Sequence, residues 1–424
     1  MNITLALILL IIVASLAAVN TALEFKRVLM MFQQNSYRAD RYGHWLNESA
    51  DTTSAPRLCG IFVFLAALAA FSFMPAGAAL IGIFCAWNSW RLWRKKYKKP
   101  LVWTMRARRI AAVMWTLAAV MALAAVLLFG SRVSRDIFAV SESLLLCYCA
   151  SHLLVLTANT ILTPVEKAIN RKYYRQAQDI LRSMPGLKII GVTGSYGKTS
   201  TKHFLFRILS EQFQTLMTPG NFNTTLGVVR TVREHLRPFH EVFIVEMGAK
   251  QNGDIREICD LVHPSTGIVT AVGPQHLESF GSIENVQATK FELIDALPPR
   301  GLAVVNNDFE KIADRKVENV PCVRYAVKNP TPEADYVAED IRYSGTGTEF
   351  TAVCRRDGHR IALSTRLVGE CNISNILAAV AVARSLGVDD KKIQYAVGKI
   401  EQVEHRLSIR RIPGSYTIID DAYN

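Results

Sequence analysis

The segment from Leu187 to Thr201 reads Leu-Lys-Ile-Ile-Gly-Val-Thr-Gly-Ser-Tyr-Gly-Lys-Thr-Ser-Thr. The apolar run Leu187 to Val192 has the composition of a strand, and a helical pattern begins near Lys198. Joining the two through Gly194 and Gly197 restricts the fold severely. The turn aims backbone N–H groups at one point, and the dipole of the following helix adds positive potential there. Such a turn suits phosphate. Gly194, Ser195, Tyr196, Gly197, Lys198, Thr199 and Ser200 are the expected contacts, with Lys198 reaching β/γ-phosphates and the Thr199 hydroxyl suited to Mg²⁺. The strict pattern also has glycine where this chain has Val192, so the loop is a variant P-loop.

The residues before this loop are of another kind. Half of the 424 residues are hydrophobic, and before the loop they concentrate in five stretches: Ile3–Leu23, Leu58–Met74, Ala76–Trp90, Ile110–Gly130 and Ile137–Leu162. A membrane span needs about 20 apolar residues. The first, fourth and fifth stretches qualify alone. The second and third, divided by Pro75-Ala76-Gly77, read as a helical hairpin. No Lys or Arg precedes Lys26, so the first stretch reads as a retained anchor and not a cleaved signal peptide.

Charge gives the expected orientation. The net charge is +13, but residues 1–165 hold 16 Lys/Arg against 6 Asp/Glu, so most of the excess lies beside the apolar stretches. That pattern is a topology signal and argues against a nucleic-acid partner. Lys26, Arg27, Arg38, Arg41 and Arg57, the nine basic residues of the loop Arg91–Arg109, and Lys167, Arg171, Lys172 and Arg175 fall on one side if five spans start from an outer N-terminus. The expected location is therefore a multi-pass cell-membrane protein with its phosphate loop in the cytoplasm. Trp87, Trp90 and Trp93 flank the basic loop as interfacial anchors, where anionic membrane lipid is the expected partner. Glu142 and His152 are ionisable groups inside the fifth stretch and receive no role. The eight cysteines form no Cys-x-x-Cys pair, which argues against a zinc site and a disulfide framework.

From Leu187 onward strands and helices alternate. Strands are expected at Leu187–Val192, Glu241–Glu246, Gly267–Val272 and Leu302–Asn306, and helices at Lys198–Phe213, Leu226–Leu236, Asp254–Val262 and Ile283–Leu297. The fold class is α/β, a doubly wound, mostly parallel sheet. Period-two patterning over Tyr336–Leu367 adds an antiparallel extension. Helices at Asn372–Leu386 and Lys391–Ile400 follow, and strands at Leu407–Arg411 and Tyr416–Asp420 end the chain. The expected division is a transmembrane region 1–165, a linker 166–186, an ATP-binding domain 187–411 and a junction 412–424.

Mg²⁺ needs hard oxygen ligands near the loop. Glu246 ends the apolar strand Val242–Val245, at the ligand-binding edge of a parallel sheet. His276 follows another strand end, and Lys290 lies on a helix after it. Gly194-Ser-Tyr-Gly-Lys-Thr199, Gly220-Asn-Phe-Asn223, Glu246-Met-Gly248, His276-Leu-Glu-Ser-Phe-Gly281 with Lys290, Asn372-Ile-Ser-Asn375 and Asp420-Asp-Ala-Tyr-Asn424 occur in this order. Over about 187–424 the set resembles the ATP-dependent Mur ligases. The likeness is greatest to the type that adds D-alanyl-D-alanine to UDP-N-acetylmuramoyl-tripeptide.

The resemblance implies an ATP-dependent amide ligase of peptidoglycan precursor synthesis. A substrate carboxylate takes the γ-phosphoryl group, giving an acyl phosphate and ADP, and an amine of an amino acid or dipeptide then displaces phosphate. It implies one Mg²⁺ held by Thr199 and Glu246 and a second involving Glu246 and His276. Lys290 matches the family's carbamylated lysine. Asn375 would lie near adenine, Arg406 near the phosphates and Asp421 near the ribose, with Asn221, Asn223 and Thr224 close to the cell-wall precursor.

Cys371 departs from the histidine of the family pattern. The apolar region stands where these ligases usually carry a uridine-nucleotide domain, which suggests a lipid-linked acceptor. The chain also stops where their third domain would start, so a fragment is expected, or else a partner chain completing the site. The rival readings are a poly-amino-acid or folate-type glutamate ligase and an ATP-binding membrane protein without turnover.

Overall fold

A computed structural model describes residues 3–70, 73–130, 132–275, 277–345, 347–402, 408–411 and 417–420. The chain divides into two compact units, Met1–Ile169 and Asn170–Asn424.

The first unit is helical: α1 (Ile3–Gln34), α2 (Ala39–Ser49), α3 (Ala55–Ala69), α4 (Met74–Arg94), α5 (Met105–Phe129), α6 (Val133–Cys149) and α7 (Ser151–Arg182), which continues into the second unit. Small residues let these helices approach closely. A Cβ on Gly60 would lie 2.7 Å from the Tyr148 ring, and one on Gly77 would lie 2.9 Å from Phe138. Thr4–Gln34 and Met105–Phe129 are long and apolar enough to cross a membrane, and α6 with α7, bent by 80°, makes a third if the pair counts as one span. Among the described residues two helices, or three with the bent pair, pass by length and composition, against five spans expected from the sequence. The fifth stretch, read as one helix over Ile137–Leu162, is broken at Ala150. The linker expected at 166–186 is helical as far as Arg182.

The break has a specific cause. The last carbonyls of a helix lack partners within it. Arg57 Nη1 donates to the carbonyls of Tyr148 (2.7 Å) and Cys149 (2.9 Å) and to Ser151 Oγ (3.0 Å). Its Nη2 donates to Glu24 Oε1 at 2.5 Å. Glu24 also pairs with Arg27, and Arg27 with Asp51, both at 2.7 Å. His152 bridges Asp51 Oδ2 (2.8 Å) and the Tyr42 hydroxyl (2.7 Å). One buried polar cluster therefore joins α1, α2, the turn before α3 and the corner between α6 and α7.

The second unit is built on β1 (Lys188–Thr193), α8 (Lys198–Leu209), β2 (Thr215–Met217), α9 (Thr225–His235), β3 (Val242–Glu246), α10 (Asp254–Val262), β4 (Thr266–Val269), α11 (Leu277–Phe280), α12 (Ile283–Asp295), β5 (Leu302–Asn306), α13 (Glu310–Ala313) and β6 (Cys322–Ala326). It continues through β7 (Tyr336–Ser344), β8 (Gly347–Cys354), β9 (His359–Thr365), α14 (Glu370–Ser385), α15 (Asp390–Gly398) and the hairpin β10 (Ser408–Arg411) and β11 (Thr417–Asp420). The main sheet has the order β2-β3-β1-β4-β5-β6-β7-β8-β9. It is parallel as far as β7, and the β7–β8 and β8–β9 pairs are antiparallel. The antiparallel strands continue the main sheet and form no separate layer. The short strands β2 and β6 were not expected.

Helices cover both faces. On one, Phe204, Leu205 and Ile208 of α8 pack with Ile376, Leu377 and Val380 of α14. On the other, Val228 and Val232 of α9, Ile255 and Ile258 of α10 and Phe291 and Leu293 of α12 pack over β1, β3 and β4. This sandwich fixes the C-terminal ends of β1, β3, β4 and β5 along one edge.

Removing Arg57 should unfasten the first unit. Its side chain is 4% exposed, and breaking a buried ion pair from one side costs about 3–5 kcal/mol. Arg57→Met is expected to lower the melting temperature of the detergent-solubilised chain markedly, and Arg57→Lys by less. Melting of Arg57→Met at the wild-type temperature would show that the corner is held otherwise.

Candidate functional site: a phosphate loop beside a buried ion pair

β1 and β4 bring Thr193 and Val269 side by side, and β1 and β3 pair Val192 with Glu246. The loop leaving β1 is held from beneath. Thr193 Oγ1 donates to the Met247 carbonyl at 2.9 Å, and Thr270 Oγ1 donates to the carbonyls of Thr193 (3.1 Å) and Tyr196 (2.5 Å). Ser195 N donates to the Ala271 carbonyl at 2.8 Å. Gly197 has φ 80° and caps α8, a left-handed conformation that glycine adopts without strain. A Cβ there would also lie 2.6 Å from Asn375 Oδ1.

Lys198 Nζ donates to the carbonyls of Gly194 (2.6 Å) and Ser195 (3.1 Å), so its amine is held against the loop. Thr199 Oγ1 donates toward Glu246, 3.1 Å from each carboxylate oxygen. Asn223 Nδ2 donates to Glu246 Oε1 at 3.2 Å, and Gly248 N donates to the Asn223 carbonyl at 2.7 Å. The Gly220–Asn223 loop is thereby tied to the end of β3. Thr224 caps α9, accepting from Gly227 N at 3.3 Å. Asn221 and Tyr196 are exposed, and Ser200 is buried.

Sequence reasoning passed over Lys202. Its side chain is fully buried, 2.9 Å from Glu246 Oε2, and it also donates to the carbonyls of Thr218 (3.0 Å) and Gly220 (2.8 Å). The available signal was its spacing, one helical turn after Lys198 on the same face of α8. Burial works against ionisation of Glu246, but Lys202, Asn223 and Lys198 outweigh it and hold the carboxyl below its usual range.

Lys290 is 3% exposed and has no hydrogen-bond partner among the described residues. Its Nζ lies 5.7 Å from the centre of the Phe280 ring. Burial, and then the charge of Lys198, push its pKa down to about 7, with Glu292 and Asp254 pulling the other way. Lys198 and Lys202 thus both act on the Glu246 carboxylate, and Lys198 also repels Lys290. The excess positive charge suits a polyanion.

Asn375 backs the loop: its Oδ1 accepts from Thr201 Oγ1 at 3.0 Å. Asn372 Nδ2 donates to the Val368 carbonyl at 2.8 Å. His276, Arg406 and Asp421 lie outside the described residues. No group of three or more His, Cys, Asp or Glu suited to a metal occurs among the described residues. The donors shown are one carboxylate and one hydroxyl. That set fits Mg²⁺, which keeps several waters and takes one or two carboxylates together with phosphate oxygens.

With this geometry in view, the comparisons are informative. Residues 192–383 match the model of the Mur ligase middle domain. This chain carries a Mur ligase middle domain. It is 31% identical over 251 residues to the UDP-N-acetylmuramoyl-tripeptide–D-alanyl-D-alanine ligase of Escherichia coli (strain K12), an alignment covering 58% of this chain and 53% of that protein. The ligase of the same name from Mycobacterium bovis is 33% identical over 241 residues, covering 56% and 46%. Among solved structures, MurF of Acinetobacter baumannii superposes with a TM-score of 0.55 at 28% identity, covering 60% of this chain and 55% of that one. MurF of Thermotoga maritima in complex with ADP gives 0.54 at 27% identity, covering 60% and 57%. The chain spans about half the length of the curated relatives it matches. The matched residues 192–383 include the loop from Gly194, Glu246 and the helix that carries Lys290.

The depressed pKa of Lys290 has a signed consequence. Below about pH 7 the amine is charged in both states and the folded chain bears the full burial penalty. Between about 7 and 10.5 the unfolded chain holds a proton the folded chain has lost, so this group makes stability rise with pH. Lys290→Met should therefore raise the melting temperature, and by more at about pH 6 than at about pH 9. An equal shift at both pH values would show that Lys290 titrates normally.

Proposed function

We propose that the chain acts as an ATP-dependent amide ligase of peptidoglycan precursor synthesis, of the D-alanyl-D-alanine-adding type, anchored in the membrane by its helical unit. The observation that carries the catalytic part is the loop Gly194–Thr199 facing Glu246 inside a matched Mur ligase middle domain. The named relatives support the substrate class, a UDP-muramoyl-tripeptide and D-alanyl-D-alanine. The helices Thr4–Gln34 and Met105–Phe129 support the anchoring, and the basic segments beside them support a cytoplasmic ATP site.

In this reading Lys198 and the loop amides neutralise the phosphates of ATP as the substrate carboxylate takes the γ-phosphoryl group and ADP leaves. The amine then attacks the acyl phosphate carbon, the C–O bond to phosphate breaks, and an amide forms with loss of a proton. Thr199 and Glu246 would hold Mg²⁺, which would supply charge neutralisation on the transferring group. Asn223 fixes the Glu246 carboxylate, and Lys202 keeps it ionised. The Gly220–Thr224 loop lies beside that carboxylate and offers Asn221 and Thr224 to the precursor.

Lys290 is assigned the carbamylated role. Carbamate formation needs the neutral amine, and a pKa of about 7 makes that form abundant at neutral pH. The neutral amine would add to CO2 with loss of a proton, and the carbamate would replace a buried cation by an anion near Lys198 and, with His276, would be a ligand for a second Mg²⁺. The ATP contacts of Arg406 and Asp421 belong to the same proposal.

Two measurements test this reading. The first is ligation by membranes carrying the longest natural reading frame that contains the chain. ADP and the amide should form from UDP-muramoyl-tripeptide or its lipid-linked counterpart with D-alanyl-D-alanine, and not with L-glutamate. Lys198→Ala should reduce turnover by about two to three orders of magnitude while the protein stays in the membrane fraction. ATP binding without amide from either acceptor would overturn the ligase reading. The second is carbon-13 NMR in labelled bicarbonate. A carbamate signal should appear in the wild type and vanish in Lys290→Ala, whereas its absence from active wild-type enzyme rules the modification out.

A further inference from the structure

The helical unit contains a second cationic site, apart from the phosphate loop. A cavity of about 280 Å³ lies between α1, the end of α4 and the loop joining α4 to α5. Leu23, Lys26, Arg27 and Met30 line it from one face of α1, at the three- and four-residue spacing that places side chains together. Trp93, Lys95 and Tyr97 are among the residues closing the other side. The loop is pinned over α1. Gln33 Nε2 donates to the Val102 carbonyl at 2.8 Å, Val102 N donates to Gln33 Oε1 at 2.9 Å, and Gln34 Nε2 donates to the Lys99 carbonyl at 2.8 Å. The cavity is therefore formed by fixed walls.

Its charge is unbalanced. Arg27 and Arg57 are matched by Glu24 and Asp51 in the buried cluster. Lys26 has no ion pair among the described residues. Among the described residues the Lys95 ammonium has only the Tyr97 ring, 5.6 Å from its Nζ. The Tyr97 hydroxyl is buried with no hydrogen-bond partner, and a buried donor without a partner is costly. Two exposed ammonium groups with no ion pair, and a buried hydroxyl with no partner, among the described residues thus border a cavity whose remaining walls are largely apolar. Trp90 and Trp93 beside it are 58% and 80% exposed, as side chains at a membrane–water boundary are.

We propose that this cavity binds the phosphate or diphosphate headgroup of a membrane lipid, with Lys26 and Lys95 pairing the phosphate, Tyr97 donating to it, and the lipid tail leaving past Trp93. A lipid is favoured over free phosphate because the walls are amphipathic and the tryptophans mark a boundary. The proposal rests on the membrane reading above and adds a binding site to it.

The test uses the full chain in nanodiscs of zwitterionic lipid, with insertion checked in the same sample by size and protein-to-lipid ratio. A prenyl diphosphate, the matching prenyl alcohol and inorganic diphosphate are titrated separately. Only the prenyl diphosphate should bind tightly and saturably. The double variant Lys26→Gln/Lys95→Gln should weaken it about thirtyfold, and Tyr97→Phe by a smaller factor. The control Lys96→Gln/Lys98→Gln/Lys99→Gln removes neighbouring charges outside the cavity and should change affinity less than about threefold. An equal loss in the control would reduce the site to diffuse surface attraction and overturn the proposal. So would tight binding of the alcohol or of inorganic diphosphate. Inserted protein that binds none of the three sinks the pocket alone, whereas failure to insert sinks the membrane reading.

Discussion

The buried pair of Lys202 and Glu246 is the interaction on which the nucleotide site depends. It joins the first turns of α8 to the end of β3, and both side chains are almost wholly out of water. A lone buried carboxylate would be protonated or would destabilise the fold. With Lys202 beside it, Glu246 stays ionised at the sheet edge and presents its oxygens to Thr199 and Asn223. The same lysine donates to the carbonyls of Thr218 and Gly220, so the pair also sets where the Gly220–Asn223 loop begins. One ion pair thus places three parts of the candidate site: the Gly194–Thr199 loop, the Glu246 carboxylate and the Gly220–Asn223 loop.

The helical unit solves a related problem without a nucleotide. Apolar helices pack well against one another, but the chain must still turn at their ends, where backbone carbonyls are bare. Arg57 answers several of these needs at once, covering the end of α6 and neutralising Glu24. The balance of Arg27 and Arg57 against Glu24 and Asp51 leaves no net charge inside the cluster. Lys26, one residue from Arg27 on α1, is outside that balance. The contrast separates charges that hold the fold from charges that remain available to a ligand.

Much of this was legible in the residues, and the failures share a physical origin. Gly194 and Gly197 announce a turn because their backbone geometry is strained for other residues, and the strands β1, β3, β4 and β5 announce themselves by apolar runs bounded by turns. Residue order alone did not indicate β2 and β6, which are short strands completed only by their neighbours in the sheet. It did not indicate the corner at Ala150 either, since Tyr148-Cys-Ala-Ser-His152 contains no Pro or Gly and the partner that stabilises the break, Arg57, is remote in sequence. Lys202 was invisible for the same reason. A lysine in a helix reads as solvated until the tertiary structure shows a carboxylate waiting for it. His276, Arg406 and Asp421 remain expectations of the family resemblance.

Lys202 and Lys290 show how environment assigns chemistry. Both are buried lysines on helices flanking the same sheet edge. Lys202 has a carboxylate and two carbonyls, so its charge is fully used and it acts as a structural cation. Lys290 has the face of Phe280 and the repulsion of Lys198, so its charge is a burden to the folded state. A methionine would fill that space at lower cost. A titratable group without a hydrogen-bond partner among the described residues, held under such conditions, is characteristic of functional sites. The burden is relieved when the amine is neutral, and it is reversed when the amine carries an anionic group that Lys198 attracts. The feature that destabilises the fold is thus the one on which the proposed role of Lys290 rests.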